Sequence, residues 1–347
     1  MRILTRMRIE VKRPGQSLLF GIVCGLLLFG CVGQPKDDAR TTTIHLSLIL
    51  GETSDWYAGA ERFAQLLERE TQGRYRVKLD PKATLSNSNQ ESELENVQNG
   101  VIEASLESTI LLSTLDQRFS VWSLPWLFRD HAQAAEVMDG TPGREMLNLL
   151  PPKQLVGLAY GTNGFRQITN NRRPIRIPAD LEGLKIRIPA IKMYTDVFRA
   201  FGADPSAMNF GDLITALKQG TMDGQENPLS VIYPARLFEV QKHLTLWDYS
   251  YDPIILCFSQ KFFESLSEGD QSIFRRCAQE AMADERSLVA RHDVEYRRKL
   301  EEAGMTIVEL DPLTRAAFAR KAAPVYGQYR EIIGAELLEQ FLRAVGK

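Results

Sequence analysis

The sequence predicts an α/β protein with two lobes. Residues 43–106 show strand and helix patterns in the order βαβαβ, which is how a doubly wound sheet begins. A second group of patterns starts at Gly164, and a chain of 347 residues is long enough for two domains. A helix-compatible stretch of about 36 residues then runs from Ser267 to Gly304. It would be roughly 54 Å long, longer than one lobe, so we expect a rod that crosses both lobes.

The elements of the first lobe are predicted from alternating apolar positions and from capping residues. Residues 51–55 can cap the first helix, and Gly73 lies just beyond its end. A further strand over residues 155–160 leads towards the second lobe. The predicted elements before it are strand 43–50, helix 56–71, strand 75–79, helix 91–99 and strand 102–106.

A short strand of the second lobe ends next to a basic residue. Apolar residues at positions 184, 186 and 188 alternate with Lys185 and Arg187, which is typical of a strand with one buried face. Pro189 ends the strand because proline cannot donate to a neighbouring strand. Ligands bind outside the carboxyl ends of such strands, so Arg187 is placed to bind an anion. An isolated arginine is more often a solvated residue whose stem lies on apolar surface.

Two helices, a polar run and a strand follow in the second lobe. Residues 194–201 and 210–219 are predicted helices, and each is followed by a glycine that can end it. Residues 223–228, Asp-Gly-Gln-Glu-Asn-Pro, break the periodicity, so we expect a loop or a strand edge. Residues 254–259 are predicted to return as a strand to the first lobe.

Composition excludes several classes of protein. With 44% hydrophobic and 25% charged residues the chain is ordinary globular material. The net charge is −2, and no basic tract is interleaved with aromatic residues, so the sequence does not favour a nucleic-acid partner.

The N-terminus has the design of a signal peptide. Five basic residues precede an apolar run at 18–29 that is too short for a membrane span. Removal of residues 1–30 would lower the net charge from −2 to −6, because those residues carry five positive charges and one negative charge. The sequence Leu-Phe-Gly-Cys ending at Cys31 resembles a bacterial lipobox, which implies a lipid anchor on Cys31. Secretory cleavage near Gly33 and an uncleaved anchor are the alternatives, and residues 31–42 suit a tether.

The sequence contains no motif for covalent or metal chemistry. Nucleophile elbows, phosphate-binding loops and zinc-protease motifs are absent, and the four histidines are not at metal-ligand spacing. We therefore predict no catalytic residue, no metal site and no cofactor. Cys257 and Cys277 lie in apolar contexts, as buried free thiols or as one disulfide.

Four motifs, in order along the chain, resemble those of one family. They are Gly-x-Arg-x-x-Thr-Asn at 164–170, Asp-Leu-x-Gly-Leu-Lys-x-Arg-x-Pro at 180–189, Met-Asn-Phe-Gly-Asp-Leu at 208–213 and Asp-Gly-Gln-Glu-Asn-Pro at 223–228. From about Thr43 onwards the chain resembles the solute-binding subunits of TRAP (tripartite ATP-independent periplasmic) transporters, of the dicarboxylate-binding type.

The resemblance implies a periplasmic-binding-protein-like fold. Two α/β lobes surround a cleft and are joined by crossing strands and one long interlobe helix. We expect residues 43–163 and 253–290 to form lobe I, and residues 164–252 and 291–347 to form lobe II. Crossing strands of this kind can act as a hinge that closes on a ligand.

The resemblance also implies a function outside the cytoplasm. We expect a periplasmic or cell-envelope protein that captures a small organic acid anion, either a C4-dicarboxylate or a sugar acid. It would deliver this ligand to a TRAP-type permease driven by an ion gradient. The alternatives are a ligand-sensing receptor for a membrane kinase and, less favoured, an exported enzyme on the same scaffold.

Matched residue by residue, the motifs imply a carboxylate clamp. Arg187 matches an arginine whose guanidinium fork suits both oxygens of the ligand carboxylate. Asn227 matches an asparagine that donates to the same group, and Arg166 matches a second arginine nearby. Phe210 matches an aromatic wall of the pocket, although core filling is the alternative for a lone phenylalanine.

The opposite wall of the pocket is less closely defined by the motifs. Glu107 and Ser108 follow the predicted strand 102–106, where the family often places a polar ligand contact. Pro189 is followed by Ala190 where sialic-acid-binding members have asparagine, so a sialic acid is not favoured. The polar run also lacks the tryptophan of a keto-acid-binding branch of the family.

Overall fold

A computed structural model describes residues 41–347, and the predicted signal peptide, Cys31 and nearly all of the tether lie outside these described residues. The strands are β1 (Thr42–Leu48), β2 (Tyr75–Pro81), β3 (Ala104–Ser108), β4 (Leu155–Asn170), β5 (Lys185–Ile188), β6 (Asp204–Ala207), β7 (Gly224–Pro228), β8 (His243–Leu246), β9 (Tyr251–Ser259) and β10 (Thr306–Glu309). The helices are α1 (Asp55–Glu70), α2 (Gln90–Gln98), α3 (Thr109–Leu112), α4 (His131–Asp139), α5 (Thr141–Leu147), α6 (Lys192–Ala200), α7 (Phe210–Gln219), α8 (Leu229–Ile232), α9 (Gln260–Glu264), α10 (Glu268–Glu302), α11 (Pro312–Ile333) and α12 (Ala335–Ala344).

The strands form one continuous sheet with two halves. The order is β2-β1-β3-β9-β4-β7-β5-β6, and β8 pairs with both β4 and β10. We call β2, β1, β3 and β9 the first half, and β7, β5 and β6 the second half. Strands β1, β2 and β3 are parallel, as the predicted βαβαβ order requires. The α/β class and the order of the first five elements are therefore confirmed.

Strand β4 joins the two halves. Its first part, residues 155–165, pairs with β9 apart from Leu158 and Asn163, where the register shifts, and its last residues pair with β7 and β8. The prediction that this strand ends at residue 160 is wrong. The run Gly161-Thr162-Asn163-Gly164 lacks the apolar alternation of a strand, yet all sixteen residues of β4 are buried. A strand covered on both faces needs no alternation.

Helix α10 is the predicted rod. It has 35 residues, with Ser267 as its N-cap, and is therefore about 52 Å long. Its first part contributes Phe274 and Met282 to the core that contains β1 and α1, whereas Tyr296 and Leu300 belong to a separate core with α7 and β8. Because one helix supplies residues to both cores, it connects the two halves of the molecule.

A glycine allows α10 to approach the first half closely. A Cβ atom added to Gly59 in α1 would lie 2.8 Å from Cγ of Glu285 in α10, closer than real Cβ contacts. The carboxylate of Glu285 in turn accepts a hydrogen bond of 2.9 Å from the backbone N–H of Thr162 in β4. This hydrogen bond connects helix α10 to strand β4 within its segment 161–164.

The run at residues 223–228 is not a loop or a strand edge, as the sequence analysis expected. Its residues 224–228 form β7, which lies between β4 and β5, and every residue of β7 is buried. Its polar side chains pair with one another and with β4. Gln225 donates to Thr169, and Asn227 donates to Gln225. Polar residues are tolerated in a buried strand when their hydrogen bonds are made there.

The structure also addresses the state of the two cysteines and the presence of membrane-spanning helices within residues 41–347. Cys257 and Cys277 are both buried and free, so no disulfide joins them. None of the helices between residues 41 and 347 combines the length and the apolar character that a membrane span requires.

Candidate functional site

A cavity of about 260 Å³ lies between the two halves of the sheet. The first half lines it with Leu50, Trp56 and Ser108, and the start of α2 contributes its polar residues 89–91. The second half contributes Arg187 and the residues at 207–210. The cavity is slightly smaller than most ligand pockets, which enclose about 300–1,000 Å³. Its size therefore suits a small molecule.

Sheet topology brings the predicted clamp residues to one edge of the second half. Strands β5 and β7 are parallel, and Arg187 lies beside Gln225. Strand β4 is antiparallel to β7, and its residues Arg166 and Gln167 lie beside Pro228 and Asn227. Because the carboxyl ends of β5 and β7 meet at this edge, the side chains of Arg166, Arg187 and Asn227 reach one cavity.

Arg187 has few partners for a buried charged residue. Only 2% of its surface is exposed, and its Nε and Nη2 atoms donate to the carbonyl oxygen of Met208 at 2.9 and 2.5 Å. Within residues 41–347 its side chain makes no other hydrogen bond and no salt bridge. One N–H of Nη2 and both of Nη1 are thus left for a group in the cavity. Burial lowers the pKa of Arg187 to about 10, against the attraction of Glu226.

Arg166, in contrast to Arg187, donates most of its N–H groups to protein acceptors. Its Nε and Nη2 atoms form a bidentate pair with the Glu226 carboxylate at 2.5 and 2.8 Å, and Nη1 donates to Asp252 at 2.8 Å. Burial alone would lower the pKa of Arg166, but the charge of Glu226 raises it above its ordinary value. One N–H of Nη1 remains for the cavity.

Asp252 connects the two halves of the site. It is the second residue of β9 and accepts hydrogen bonds from Ser108 at 2.5 Å and from Asn163 at 2.9 Å, in addition to that from Arg166. Burial raises the pKa of Asp252, and the charge of Arg166 opposes this rise. Asn163 also accepts a hydrogen bond from the indole N–H of Trp56 at 3.0 Å. These bonds fix the polar floor of the cavity.

Asn227 and Phe210 both line the cavity. The side-chain oxygen of Asn227 accepts a hydrogen bond from Arg166 at 3.1 Å, and its amide nitrogen donates to Gln225, which leaves one amide N–H. Phe210 begins α7, and its ring centroid lies 6.0 Å from Cζ of Arg187. The aromatic ring thus covers the guanidinium.

The two residues predicted for the first-half wall lie in different places. Ser108 lines the cavity, but Glu107 does not. Glu107 is 1% exposed and lies close enough to the equally buried Glu93 that burial and this second carboxyl group raise the pKa of Glu107 well above its usual range. Glu107 is thus a buried acid of the first half.

Several cavity residues were missed by the sequence analysis. Asp252 precedes the apolar pattern of a predicted strand, and Asn163 interrupts another. A polar residue at the start of a buried strand is the signal that could have identified Asp252. Glu226 lies within the predicted motif, but no role was assigned to it. Among residues 41–347 no cluster of histidine, cysteine and acidic residues could hold a metal ion.

The sequence pattern of one protein family matches residues 46–332, and that family is described as "Bacterial extracellular solute-binding protein, family 7". A solute-binding protein of Verminephrobacter eiseniae is 35% identical over 88% of this chain and 90% of its own length. The 2,3-diketo-L-gulonate-binding periplasmic protein YiaO of Escherichia coli K12 is 32% identical over 87% and 90% of the two chains.

Solved structures of TRAP periplasmic solute-binding proteins have the same fold. One from Ralstonia eutropha H16, with bound (S)-2-acetolactate, has a TM-score of 0.84 and 33% identity over 88% of this chain and 98% of its own. Another, from Shewanella oneidensis with bound succinate, has a TM-score of 0.84 and 27% identity over 88% and 99% of the two chains.

Proposed function

Because the chain belongs to family 7 of the bacterial extracellular solute-binding proteins, the family of the TRAP periplasmic binding proteins, we propose that it captures a small organic acid anion between the two halves of its sheet. The anion is a C4-dicarboxylate or a sugar acid, and Arg187 binds its carboxylate. Members of this family are binding proteins for transporters, and the chain is not an enzyme.

The observation that carries the proposal is the unpaired guanidinium of Arg187. A buried charge without a partner is unfavourable, because burial removes the water that would otherwise solvate it. Arg187 nevertheless has three N–H groups without an acceptor among residues 41–347, and it lines the cavity. A ligand carboxylate supplies both the opposite charge and the acceptors, and each charge-assisted hydrogen bond contributes about 1.5 to 3 kcal/mol.

Two further donors support the binding of the same carboxylate. Asn227 has one free amide N–H, and Arg166 has one free N–H on Nη1, and both residues line the cavity. Phe210 excludes water from one side of Arg187, which strengthens the charge interaction by lowering the local dielectric constant. The clamp thus consists of Arg187, Asn227 and Arg166 beneath an aromatic wall.

Contact between the two walls of the cavity supports a closing motion. A Cβ atom added to Gly211, at the start of α7, would lie 2.9 Å from the carbonyl oxygen of Ser88 in the loop before α2. The walls therefore touch beside the cavity. We take residues 43–163 with 253–290 and residues 164–252 with 291–347 as the two bodies that open and close, with β4 and β9 crossing between them.

A ligand screen tests the proposed binding directly. Purified protein is heated in the presence of C4-dicarboxylates, aldonates and uronates, because a ligand that binds only the folded state raises the apparent melting temperature. At least one organic acid is expected to raise it, and isothermal titration calorimetry then gives its affinity. The absence of binding by every acid would contradict the proposal.

Delivery to a permease completes the proposed function. The bound anion passes to the membrane subunits of a TRAP transporter, which an ion gradient drives. Uptake of a radiolabelled acid into proteoliposomes that contain the permease is expected only when the ligand-loaded protein is added outside. Uptake that does not depend on the protein would contradict this role.

A lipid on Cys31 would hold the protein at the cell envelope. The lipobox-like sequence before Cys31 and the polar tether that follows it support this anchor. Metabolic labelling with an alkyne fatty acid is expected to label the natural protein and to leave the Cys31→Ser variant unlabelled. Labelling of both proteins, or of neither, would contradict the anchor.

A further inference from the structure

We infer that the cavity accepts one carboxylate and excludes a second, so that the ligand is a monocarboxylate with an uncharged body. This inference rests on the proposed function and narrows it from two classes of acid to one. It favours the sugar acids and related hydroxy acids over the C4-dicarboxylates.

The first argument is the balance of charges around the clamp. The buried cluster contains two cations, Arg166 and Arg187, and two anions, Glu226 and Asp252. Both anions are hydrogen-bonded to Arg166, at 2.5 to 2.8 Å. The four groups are neutral as a set before any ligand enters. One ligand carboxylate therefore uses Arg187, the guanidinium of this cluster that lacks a carboxylate partner.

The second argument is the character of the remaining lining. Among residues 41–347, no lysine or histidine lines the cavity, and the arginines that line it are the two already described. Apart from Asp252, which is already paired with Arg166, the first-half wall carries one ionisable residue among residues 41–347, Glu91, an exposed acid at the start of α2. A second ligand carboxylate would lie in a lining with no cation left for it and an acid nearby. Like charges at short range repel each other, which is unfavourable for a second carboxylate.

The third argument is what the far wall can recognise. Its polar groups are the amides of Asn89 and Gln90, and the side-chain oxygen of Asn89 is already used as the N-cap of α2. Its apolar groups include Leu50, Leu111 and Val231. Amides and apolar side chains suit hydroxyl and carbonyl groups on a short carbon chain, and they do not neutralise an anion.

A neighbouring cavity has a lysine, Lys82, in its lining. This cavity is lined by Lys82 and Glu52, and it shares Leu50, Phe210 and Val231 with the first. A long dicarboxylate could reach Lys82 only by passing between these shared residues. Because Glu52 lines the same cavity, the ionisable pair there is again balanced. The Lys82→Met variant is therefore part of the test.

Matched pairs of acids test the inference by calorimetry. D-erythronate and meso-tartrate differ only in that a terminal CH₂OH of the first is a carboxylate in the second, and galactonate and galactarate differ in the same way. The acid that binds most tightly in the thermal-shift screen is also paired. If it is a monocarboxylate, it is compared with the matching dicarboxylate, and if it is a dicarboxylate, with the matching monocarboxylate. We expect each monocarboxylate that binds to do so at least tenfold more tightly than its matched dicarboxylate. We also expect Glu91→Gln to reduce that ratio several-fold, and Lys82→Met to leave it unchanged.

Three other outcomes would overturn the inference, and the last of them also overturns the proposed function. A dicarboxylate that binds as tightly as its matched monocarboxylate, or that loses its affinity in Lys82→Met, would show that the site neutralises a second charge. The capture of organic acids would survive that result. If no acid of either class binds, the proposed function fails and the inference fails with it.

Discussion

Arg187 donates two hydrogen bonds to the carbonyl oxygen of Met208, at 2.9 and 2.5 Å, and forms no salt bridge within residues 41–347. Arg166, on the neighbouring part of the sheet, holds two buried carboxylates. Arg187 thus lacks a carboxylate partner in the protein, whereas Arg166 has two. We therefore expect removal of Arg187 to affect ligand binding and removal of Arg166 to affect the stability of the fold.

Removal of Arg166 should destabilise the fold. Arg166→Met leaves Glu226 and Asp252 buried without their cation, and breaking a buried pair in this way costs about 3–5 kcal/mol. We expect that loss in the free energy of unfolding, measured by urea denaturation. The control is Arg172→Met, because Arg172 is exposed and its ion pair with Asp223 contributes at most about 1 kcal/mol. Equal stability of the two variants would refute the structural role of Arg166.

Closure should depend on the contact between Gly211 and Ser88. Gly211→Ala places a Cβ atom 2.9 Å from the Ser88 carbonyl oxygen, so the walls must separate slightly. We expect roughly tenfold weaker ligand binding by calorimetry, equivalent to about 1.4 kcal/mol, with no loss of stability in the free protein. In the control, Gly327→Ala in α11, the added Cβ meets no atom within 4 Å, and affinity should not change. An unaltered affinity in Gly211→Ala would count against closure through this contact.

Stability should fall as the pH rises above about 5. Burial raises the pKa of Glu93 from 4.5 to about 7, although a hydrogen bond from Ser47 opposes the rise. Between these two values the unfolded chain releases a proton that the folded chain retains, so the free energy of unfolding decreases by about 3 kcal/mol for this group. Burial and the neighbouring Glu93 also raise the pKa of Glu107, which changes stability with pH in the same direction.

The measurement is urea denaturation from pH 5 to pH 8. Glu93→Gln should reduce the slope of the profile, because an amide of similar shape does not ionise there. Glu95→Gln, an exposed change in the same helix α2, should retain the slope of the natural protein. A natural protein that becomes more stable as pH rises over this range would show that Glu93 is ionised in the fold.

The sequence predicted those elements whose signals are local. Helix α7 has the predicted bounds, and α10 differs by a residue or two, because Ser267 and the glycines at 220 and 304 mark their ends. Strand β7 was missed because its side chains are polar and its burial depends on partners in β4, about 60 residues earlier. Local periodicity carries no information about such partners.

In the candidate site too, residues with local sequence signals could be predicted, and residues whose roles depend on distant partners could not. Arg187 could be identified from a strand end and a motif, both of which lie within ten residues. The role of Asp252 arises only when β9 brings it to Arg166 and Ser108, which are 86 and 144 residues away in the sequence. The engagement of Arg166 by two acids likewise depends on pairings between strands that are distant in the chain.

The most direct test of the account compares two variants in strand β5. Arg187→Met replaces the buried guanidinium, and Lys185→Met removes an exposed cation from the same strand. Each is titrated by calorimetry with the organic acid that gives the largest thermal shift in the natural protein. We expect Arg187→Met to lose at least 100-fold in affinity while its unfolding free energy stays equal or rises, because an unpaired buried charge has been replaced by an apolar side chain. Lys185→Met should bind normally. Undiminished affinity in Arg187→Met would contradict the claim that this guanidinium holds the ligand.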